Sequence, residues 1–431
     1  MVVLFKILQV ILALSLLIIV HEGGHFLFAK LFHIRVEKFY LFFDVGGKAL
    51  LKFKKGETEF GIGWLPFGGY CKIAGMVDES LDMEAMKKEP QSWEFRSHPA
   101  WQRLLVMAGG VLFNFILAIL TYSLISGIWG SAFIPNKNAQ IYPNELAQDM
   151  GFKTGDHIIS MDDYVPEDFS NIQADLVRRE VRKVNVLRGA DTVSIYMDHS
   201  RMSEMLNSPM MFGLALPFVV DSLASETNST SLCHGDKIIG IDGESTEYFQ
   251  DASAILKKHA GTTTDATILR DGKKLTVPLQ IDSAGRIGVF IKAPEVEYAK
   301  YNFAQSIDQG FKRTGSTISG YLKDLKLVTK PSTGAYKSVG SFISIGQIFP
   351  EKWNWYQFLS IIALLSIMLG VMNLIPIPGL DGGHILFTIY EMISGKKPST
   401  RFLLVTQLIG MTLLILLMFL AFGNDISRII R

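Results

Sequence analysis

Two histidines four residues apart, with a glutamate beside the first, sit inside the first long apolar run of the chain: Val20-His21-Glu22-Gly23-Gly24-His25, within Val2 to Leu31. On a helix such a pair lies on one face, so His21 and His25 can ligate a single metal ion while Glu22 polarises a water on it. The residues match H-E-x-x-H, the zinc-protease signature. Their setting adds weight, because three ionisable groups in a membrane-length segment are costly in lipid unless something such as a metal binds them. The competing reading is a pair of histidines that merely satisfy hydrogen bonds in helix packing.

A second chemically loaded stretch closes the third long apolar run: Asn373-Leu-Ile-Pro376-Ile-Pro378-Gly-Leu-Asp381-Gly382-Gly383-His384. Pro376 and Pro378 stop a regular helix, and the glycines after Asp381 let the backbone turn close to another segment. Two histidines leave a catalytic zinc one protein ligand short of three, so the Asp381 carboxylate is the natural third, with the fourth position left to water. His384 is the rival for that place, though such a residue more often caps a helix or supports the ligands.

These side chains need elements to hold them. The chain has 431 residues, 48% of them hydrophobic, which is too apolar for an ordinary soluble enzyme. Four runs are long and apolar enough to span a bilayer: Val2 to Phe32, Leu104 to Trp129, Phe358 to Leu374 and Phe402 to Phe422. Lysine and arginine crowd the loop after the first run, Lys87 and Lys88 among them, and Lys396, Lys397 and Arg401 fill the short third connection. Both loops are therefore expected in the cytoplasm, which puts His21 to His25 near the cytoplasmic end of the first span and the large central region on the other side. Lys6 before an apolar run imitates a signal peptide, but the run carries the histidine motif and lacks a small-residue cleavage site, so it is expected to be retained. The net charge of +1 gives no reason to expect nucleic acid as a partner. Cys71 and Cys233 fall on opposite sides, and no disulfide is expected.

Between Val36 and Ile73 the pattern changes to short aromatic and aliphatic runs broken by Gly46-Gly47 and Lys55-Gly56, which predicts a small β-meander. Its portion from Phe60 to Ile73 is too rich in glycine for a helix and too apolar for a cytosolic loop. Strands sit at membrane depth only inside protein or beside a water-filled cavity, so this portion is expected next to the metal site; the alternative is a soluble hairpin on the bilayer surface. The central region is more polar and contains a repeat: Phe152-Lys-Thr-Gly155-Asp156-His-Ile-Ile-Ser-Met-Asp162-Asp163 returns as Leu232-Cys-His-Gly235-Asp236-Lys-Ile-Ile-Gly-Ile-Asp242-Gly243. Helical stretches near Ile172 to Arg182 and Phe249 to His259 follow, then strands at Val184 to Tyr196 and Ala266 to Leu279, so two related modules are expected. Their Gly-Asp strand-turn resembles bacterial PDZ domains, which bind peptides by adding a strand, though a plain spacer fits as well. The amphipathic stretch from Ile307 to Val328 reads as an interfacial helix on the outer leaflet.

The two site motifs together with tandem PDZ-like modules resemble the site-2 protease family of intramembrane zinc metalloproteases, in its bacterial RseP type. Gly68-Gly-Tyr-Cys-Lys-Ile-Ala-Gly75 resembles the family's membrane-reentrant β-loop, and His98 to Asn114 its second-span entry, so the likeness covers nearly the whole chain. Gly110 departs from it, standing where many relatives have proline, as does Gly340-Ser-Phe-Ile before the third span. The resemblance implies a multi-pass α-helical membrane protein with four transmembrane helices, a membrane-associated β-meander and two α+β PDZ-like domains. It implies Zn2+ held by His21, His25 and Asp381, Glu22 as catalytic acid/base, Asn373 as a contact to the substrate backbone, and Gly69, Tyr70, Cys71 and Lys72 as a strand that pairs with substrate. The implied partners are the lipid bilayer of a bacterial inner membrane and single-pass substrates already cut by another protease, such as an anti-sigma factor or a leftover signal peptide. The implied division is 1–32, 33–100, 101–130, 131–215, 216–297, 298–354, 355–390 and 391–431. The rival class is a non-catalytic PDZ-bearing scaffold with a structural metal; structural zinc usually takes four protein ligands and no adjacent carboxylate base, which disfavours it.

Overall fold

Helix α1, Val2–Leu31, is mostly apolar, and its fully buried residues, Gln9, Ala13, Leu17, His21, Gly24, His25 and Ala29, fall along one stripe. That stripe is small and polar while the outward faces are aliphatic, the arrangement of a helix in lipid rather than in water. The helix ends where His33 adopts φ 61°. There Ile34 N–H donates to Ala29 O and His33 N–H to Lys30 O, the paired bonds of a Schellman cap. In this computed structural model residues 2–76 and 89–430 are described, and Lys87 and Lys88 of the basic loop lie outside them.

Four strands follow: β1 (Val36–Phe43), β2 (Ala49–Lys55), β3 (Thr58–Gly63) and β4 (Leu65–Ile73). The expected meander is corrected here, because the sheet order is β2-β3-β1-β4 and β1 pairs with β3 in parallel. The β2–β3 hairpin folds back as a unit so that Phe60 packs with Phe39 and Phe26 of α1. Gly61 leaves room for the Tyr40 ring, which a Cβ there would meet at 2.4 Å. β4 takes the antiparallel place on the other side of β1, Tyr40 opposite Tyr70, and so forms an edge of the sheet. Helix α2, Ala100–Trp129, then packs on α1 at bare backbone: a Cβ on Gly24 would stand 2.2 Å from Gly109 O.

Residues Ser131–Ala299 with Lys330–Ala335 form one compact unit, and Met1–Gly130, Lys300–Thr329 and Tyr336–Arg431 form another. The first of these carries the repeat. One module has β5 (Ile141–Pro143), β6 (His157–Met161), α3 (Ile172–Arg178), β7 (Lys183–Arg188), β8 (Asp191–Tyr196) and β9 (Phe212–Leu214). The second has β10 (Val220–Leu223), β11 (Lys237–Ile241), α4 (Phe249–Lys258), β12 (Thr263–Arg270), β13 (Lys273–Gln280) and β14 (Val289–Ile291). β6-β7-β8 and β11-β12-β13 are matching antiparallel sheets, and β5–β9 matches β10–β14.

The repeated Gly-Asp is explained by hydrogen bonding. Asp156 and Asp236 are buried, accept the backbone N–H of Lys153 and Cys233, and take bidentate bonds from Arg188 and Arg270. Each arginine also donates to a loop carbonyl, Gly151 O or Ser231 O. Gly155 and Gly235 share φ 87°, a left-handed conformation that excludes most other residues.

The chain then enters α5 (Phe303–Val328), capped by a reciprocal pair of bonds between Asn302 and Gln305. This is the stretch expected to lie on the outer leaflet, but one face of it packs along α2. The small residues Ser306 and Gly310 meet Gly127 and Ser123, while Ile318, Tyr321 and Leu325 join a cluster with Ala118, Ala363 and Ile367. α6 (Trp355–Leu374), α7 (Asp381–Ser394) and α8 (Thr400–Ile430) complete the unit. Asp425 near the end of α8 is buried and accepts bonds from Ser341 and Ser344, while Asn424 donates to Tyr336 O and Val339 O. Four of the described helices are long and apolar enough to cross a membrane: Val2–Leu31, Ala100–Trp129, Trp355–Leu374 and Arg401–Ser427.

Candidate active site

The last turns of α1 present His21 and His25 side by side, their rings 4.9 Å apart and nearly perpendicular. From the far end of the sequence Asp381 enters as the first residue of α7. Its approach depends on the proline-glycine stretch: a Cβ on Gly382 would stand 2.2 Å from Ile375 O, and one on Gly383 2.7 Å from Ile377 O. The loop can therefore fold flat on itself and deliver the carboxylate. His21 Nε2 and His25 Nε2 each lie 3.3 Å from Asp381 Oδ2.

These three donors lie within 4.8 Å of one another, and no other group of three or more acidic, histidine or cysteine donors is so arranged among the described residues. Three tests favour a metal. Ligands about 2.0–2.1 Å from a tetrahedral zinc stand about 3.3–3.4 Å apart, which agrees with the separations to Asp381. Asp381 Oδ2 is buried without a hydrogen-bond partner among the described residues, a costly state for a carboxylate oxygen unless a cation takes it. Gly110 of α2 keeps the space clear, since a Cβ there would lie 2.4 Å from His25 Nε2 and 2.6 Å from His21 Cε1. Two nitrogens and one oxygen make up the donor set of catalytic rather than structural zinc.

Supporting groups fix which ring nitrogens are left free for a ligand bond. His25 Nδ1 is 2.8 Å from Val106 O and must donate to it, leaving Nε2 with its lone pair free for a ligand bond. The side-chain amide of Asn114, which is wholly buried, reaches His21 Nδ1 at 3.1 Å. Amide oxygen and nitrogen exchange places by a half-turn. With Asn114 Oδ1, otherwise buried and unpartnered among the described residues, facing the ring, His21 Nδ1–H donates and Nε2 is again left free for a ligand bond. Asn373 places Nδ2 3.2 Å from His21 Nε2.

A cavity of about 800 Å3 opens on this cluster. Glu22, Asn373 and His384 line it, as do Gly69, Tyr70, Cys71 and Lys72 of β4, so the residues singled out in the sequence share one space. His384 belongs to the cavity wall but not to the set of three converging donors. β4 lies hard against α1: a Cβ on Gly69 would meet Ile18 Cγ2 at 2.4 Å and Tyr40 O at 2.6 Å. Lys38, Asp44 and Gln407 also line the cavity, and sequence reasoning missed them together with Asn114. Asp44 accepts from Lys38 at 3.0 Å and from Tyr70 Oη at 2.8 Å. Asn114 and Gln407 did leave a signal, since each is an amide inside an apolar span, where a polar side chain calls for a partner.

The description Peptidase family M50 matches residues 9–417 of the chain. A Neisseria meningitidis protein provisionally named a zinc metalloprotease is 28% identical over 455 residues, covering 98% of this chain and 99% of the relative. The regulator of sigma-E protease RseP of Salmonella typhimurium is 28% identical over 464 residues, covering 99% of each. The protease RseP of Yersinia pestis is likewise 28% identical, over 458 residues and 99% of each chain.

Proposed function

The chain belongs to peptidase family M50 and is a zinc-dependent metalloprotease, and from that membership we propose that it cuts the transmembrane segment of single-pass proteins that another protease has already shortened. The observation that carries the proposal is the convergence of His21, His25 and Asp381, beside Glu22, in a cavity that an edge strand lines. His21, His25 and Asp381 hold the zinc. Once held there, zinc would supply Lewis-acid chemistry at the scissile carbonyl and make a nearby water easier to deprotonate. Glu22 takes the proton of the attacking water and passes it to the leaving nitrogen as the peptide C–N bond breaks.

A helix hides its carbonyls in internal hydrogen bonds, so the substrate must be extended before attack. The β4 edge, Gly69 to Lys72, pairs with the extended segment as an added strand, and Asn373 holds a freed backbone group. Anti-sigma factors and leftover signal peptides are the substrate classes that fit, in a bacterial inner membrane with the site toward the cytoplasm, as the basic loops indicate.

The paired modules, PDZ-like in their repeat, act as a size filter for the substrate's outer domain. Support comes from the open edge of β9: Leu214 O and Leu216 N are both engaged by the Gln250 amide, and Gln173 bonds Met211 N and Ser208 O. An added peptide strand would find part of this edge taken. The turn at Gly285 in the second module lies against α4, 3.2 Å from Lys257 Cα for a Cβ placed there.

The decisive test replaces Glu22 by Gln, which keeps size and removes the basic carboxylate. The variant is expected to retain zinc and lose cleavage of a reconstituted transmembrane substrate by about a hundredfold or more. Turnover close to that of the parent chain would mean that Glu22 is not the proton carrier.

A further inference from the structure

The apolar part of α8, Phe402 to Phe422, contains three polar side chains: Thr406, Gln407 and Thr412. Both threonines are satisfied by their own helix, Thr406 Oγ1 donating to Phe402 O or Leu403 O and Thr412 Oγ1 to Leu408 O. Gln407 is different. It is 4% exposed, it lines the cavity that holds the donor cluster, and its amide has no hydrogen-bond partner among the described residues. With no bond inside the described protein and neither amide atom sealed from the cavity, the group is open to an occupant of that space.

Its position is fixed by backbone contact. α8 crosses the Pro378–Leu380 loop at Gly410, where a Cβ would overlap Pro378 O at 1.3 Å, and Gly379 lies against Met411 N. Gln407 stands three residues before Gly410, on the same side of the helix, and so beside the loop that delivers Asp381. β4 lines the same cavity from a different part of the chain.

We propose that Gln407 is a substrate-binding residue whose carboxamide takes one backbone C=O and one backbone N–H of the extended substrate, on a wall separate from β4. The proposal rests on the reading of this cavity as the site of an intramembrane protease. An amide is suited to the task because it offers one acceptor and two donors with no charge to bury. It reads backbone and not side chains. Its contribution therefore does not depend on substrate sequence, a useful property where many apolar segments must be held once unwound.

The test measures binding apart from turnover. A fluorescent Leu/Ala transmembrane peptide with a central Gly-Gly pair is titrated into the full chain in nanodiscs, as Glu22→Gln and as Glu22→Gln with Gln407→Leu. The second variant is expected to bind about tenfold more weakly, the worth of one to two net hydrogen bonds, with unchanged zinc content and a melting temperature no lower than its parent's. A peptide with central backbone amides replaced by esters should lose more affinity for the Glu22→Gln chain than for the chain that also carries Gln407→Leu, where only the bonds to β4 and Asn373 remain to be lost. Equal affinities, an equal ester effect in both chains, or a fall in zinc content or melting temperature would overturn the assignment, the last by showing a structural role. Failure of the chain with Glu22 intact to cut the peptide would instead count against the protease reading, since the Gln407 comparison is made on binding alone.

Discussion

At the scale of single residues, ligand and supporting roles separate experimentally. Removing Asp381 leaves two histidines and a buried gap, so Asp381→Ala should lower zinc occupancy sharply, while His384→Ala should leave it near one ion per chain. Metal analysis of the two purified variants checks this, and the reverse ranking would make His384 the third ligand. Asn114→Ala keeps all three ligands and removes the bond that orients the His21 ring, so zinc affinity should fall about 10- to 100-fold with the stoichiometry at saturation unchanged. Competition with a chelator of known affinity measures it, and an unaltered affinity would strip Asn114 of its positioning role. The histidine pair was legible because helical periodicity places i and i+4 on one face without any knowledge of the fold. The bond from Asn114 was not, since its partner lies 93 positions away and only the packing of α1 on α2 brings them together.

At the scale of elements, that packing is set by missing side chains. Gly24 and Gly109 allow the backbones of α1 and α2 to touch, and Gly110 clears the space in front of both histidines. Gly110→Ala adds one methyl group where His25 Nε2 already stands, so it should reduce zinc affinity and cleavage while the helices remain folded; wild-type metal affinity in that variant would show that the rings can shift at little cost. The parallel partnership of β1 with β3 was beyond the sequence for a related reason. Alternation of apolar residues reports which faces are buried but not which strand lies next to which, and here the aromatic contacts among Phe26, Phe39 and Phe60 decide. In the second module the repeated acid also has a pH signature. Burial pushes the Asp236 carboxyl up, but the bonds from Arg270 and the Cys233 N–H outweigh it and hold the group below its ordinary 3.8. A depressed carboxylate stabilises the fold above the unfolded value and loses that effect as pH falls through the folded one. Amide-exchange protection of β11 and β12 should therefore weaken progressively below about pH 4. Arg270→Ala should destabilise the module by leaving the buried Asp236 carboxylate with only the Cys233 N–H, and an acid response identical in that variant and its parent would sever protection from this ion pair.

For the whole molecule, the repeat was visible in the sequence because the same chemistry is needed twice: a glycine in the left-handed region followed by an acid that anchors its loop to an arginine of a later strand. Those arginines, Arg188 and Arg270, could be paired with the acids only once the sheets were in view. Leu214 O and Leu216 N are engaged by Gln250 and Tyr142 Oη donates to Asp251, so the second module holds part of the first module's edge. A pair braced in this way is suited to excluding bulk rather than gripping a peptide end. On the proposed filter, deleting Ile141 to Ile291 should leave zinc content unchanged, preserve cleavage of a substrate whose outer domain has been trimmed, and permit cleavage of the untrimmed form, which the parent chain should leave uncut. If the modules instead recruit substrate, the same deletion would depress cleavage of the trimmed form and gain nothing on the other. Breaking the brace alone, with Gln250→Ala, refines the choice. An edge freed for strand addition should begin to bind extended peptides only if the geometry of β9 still permits pairing, and binding already present in the parent chain would count against the filter.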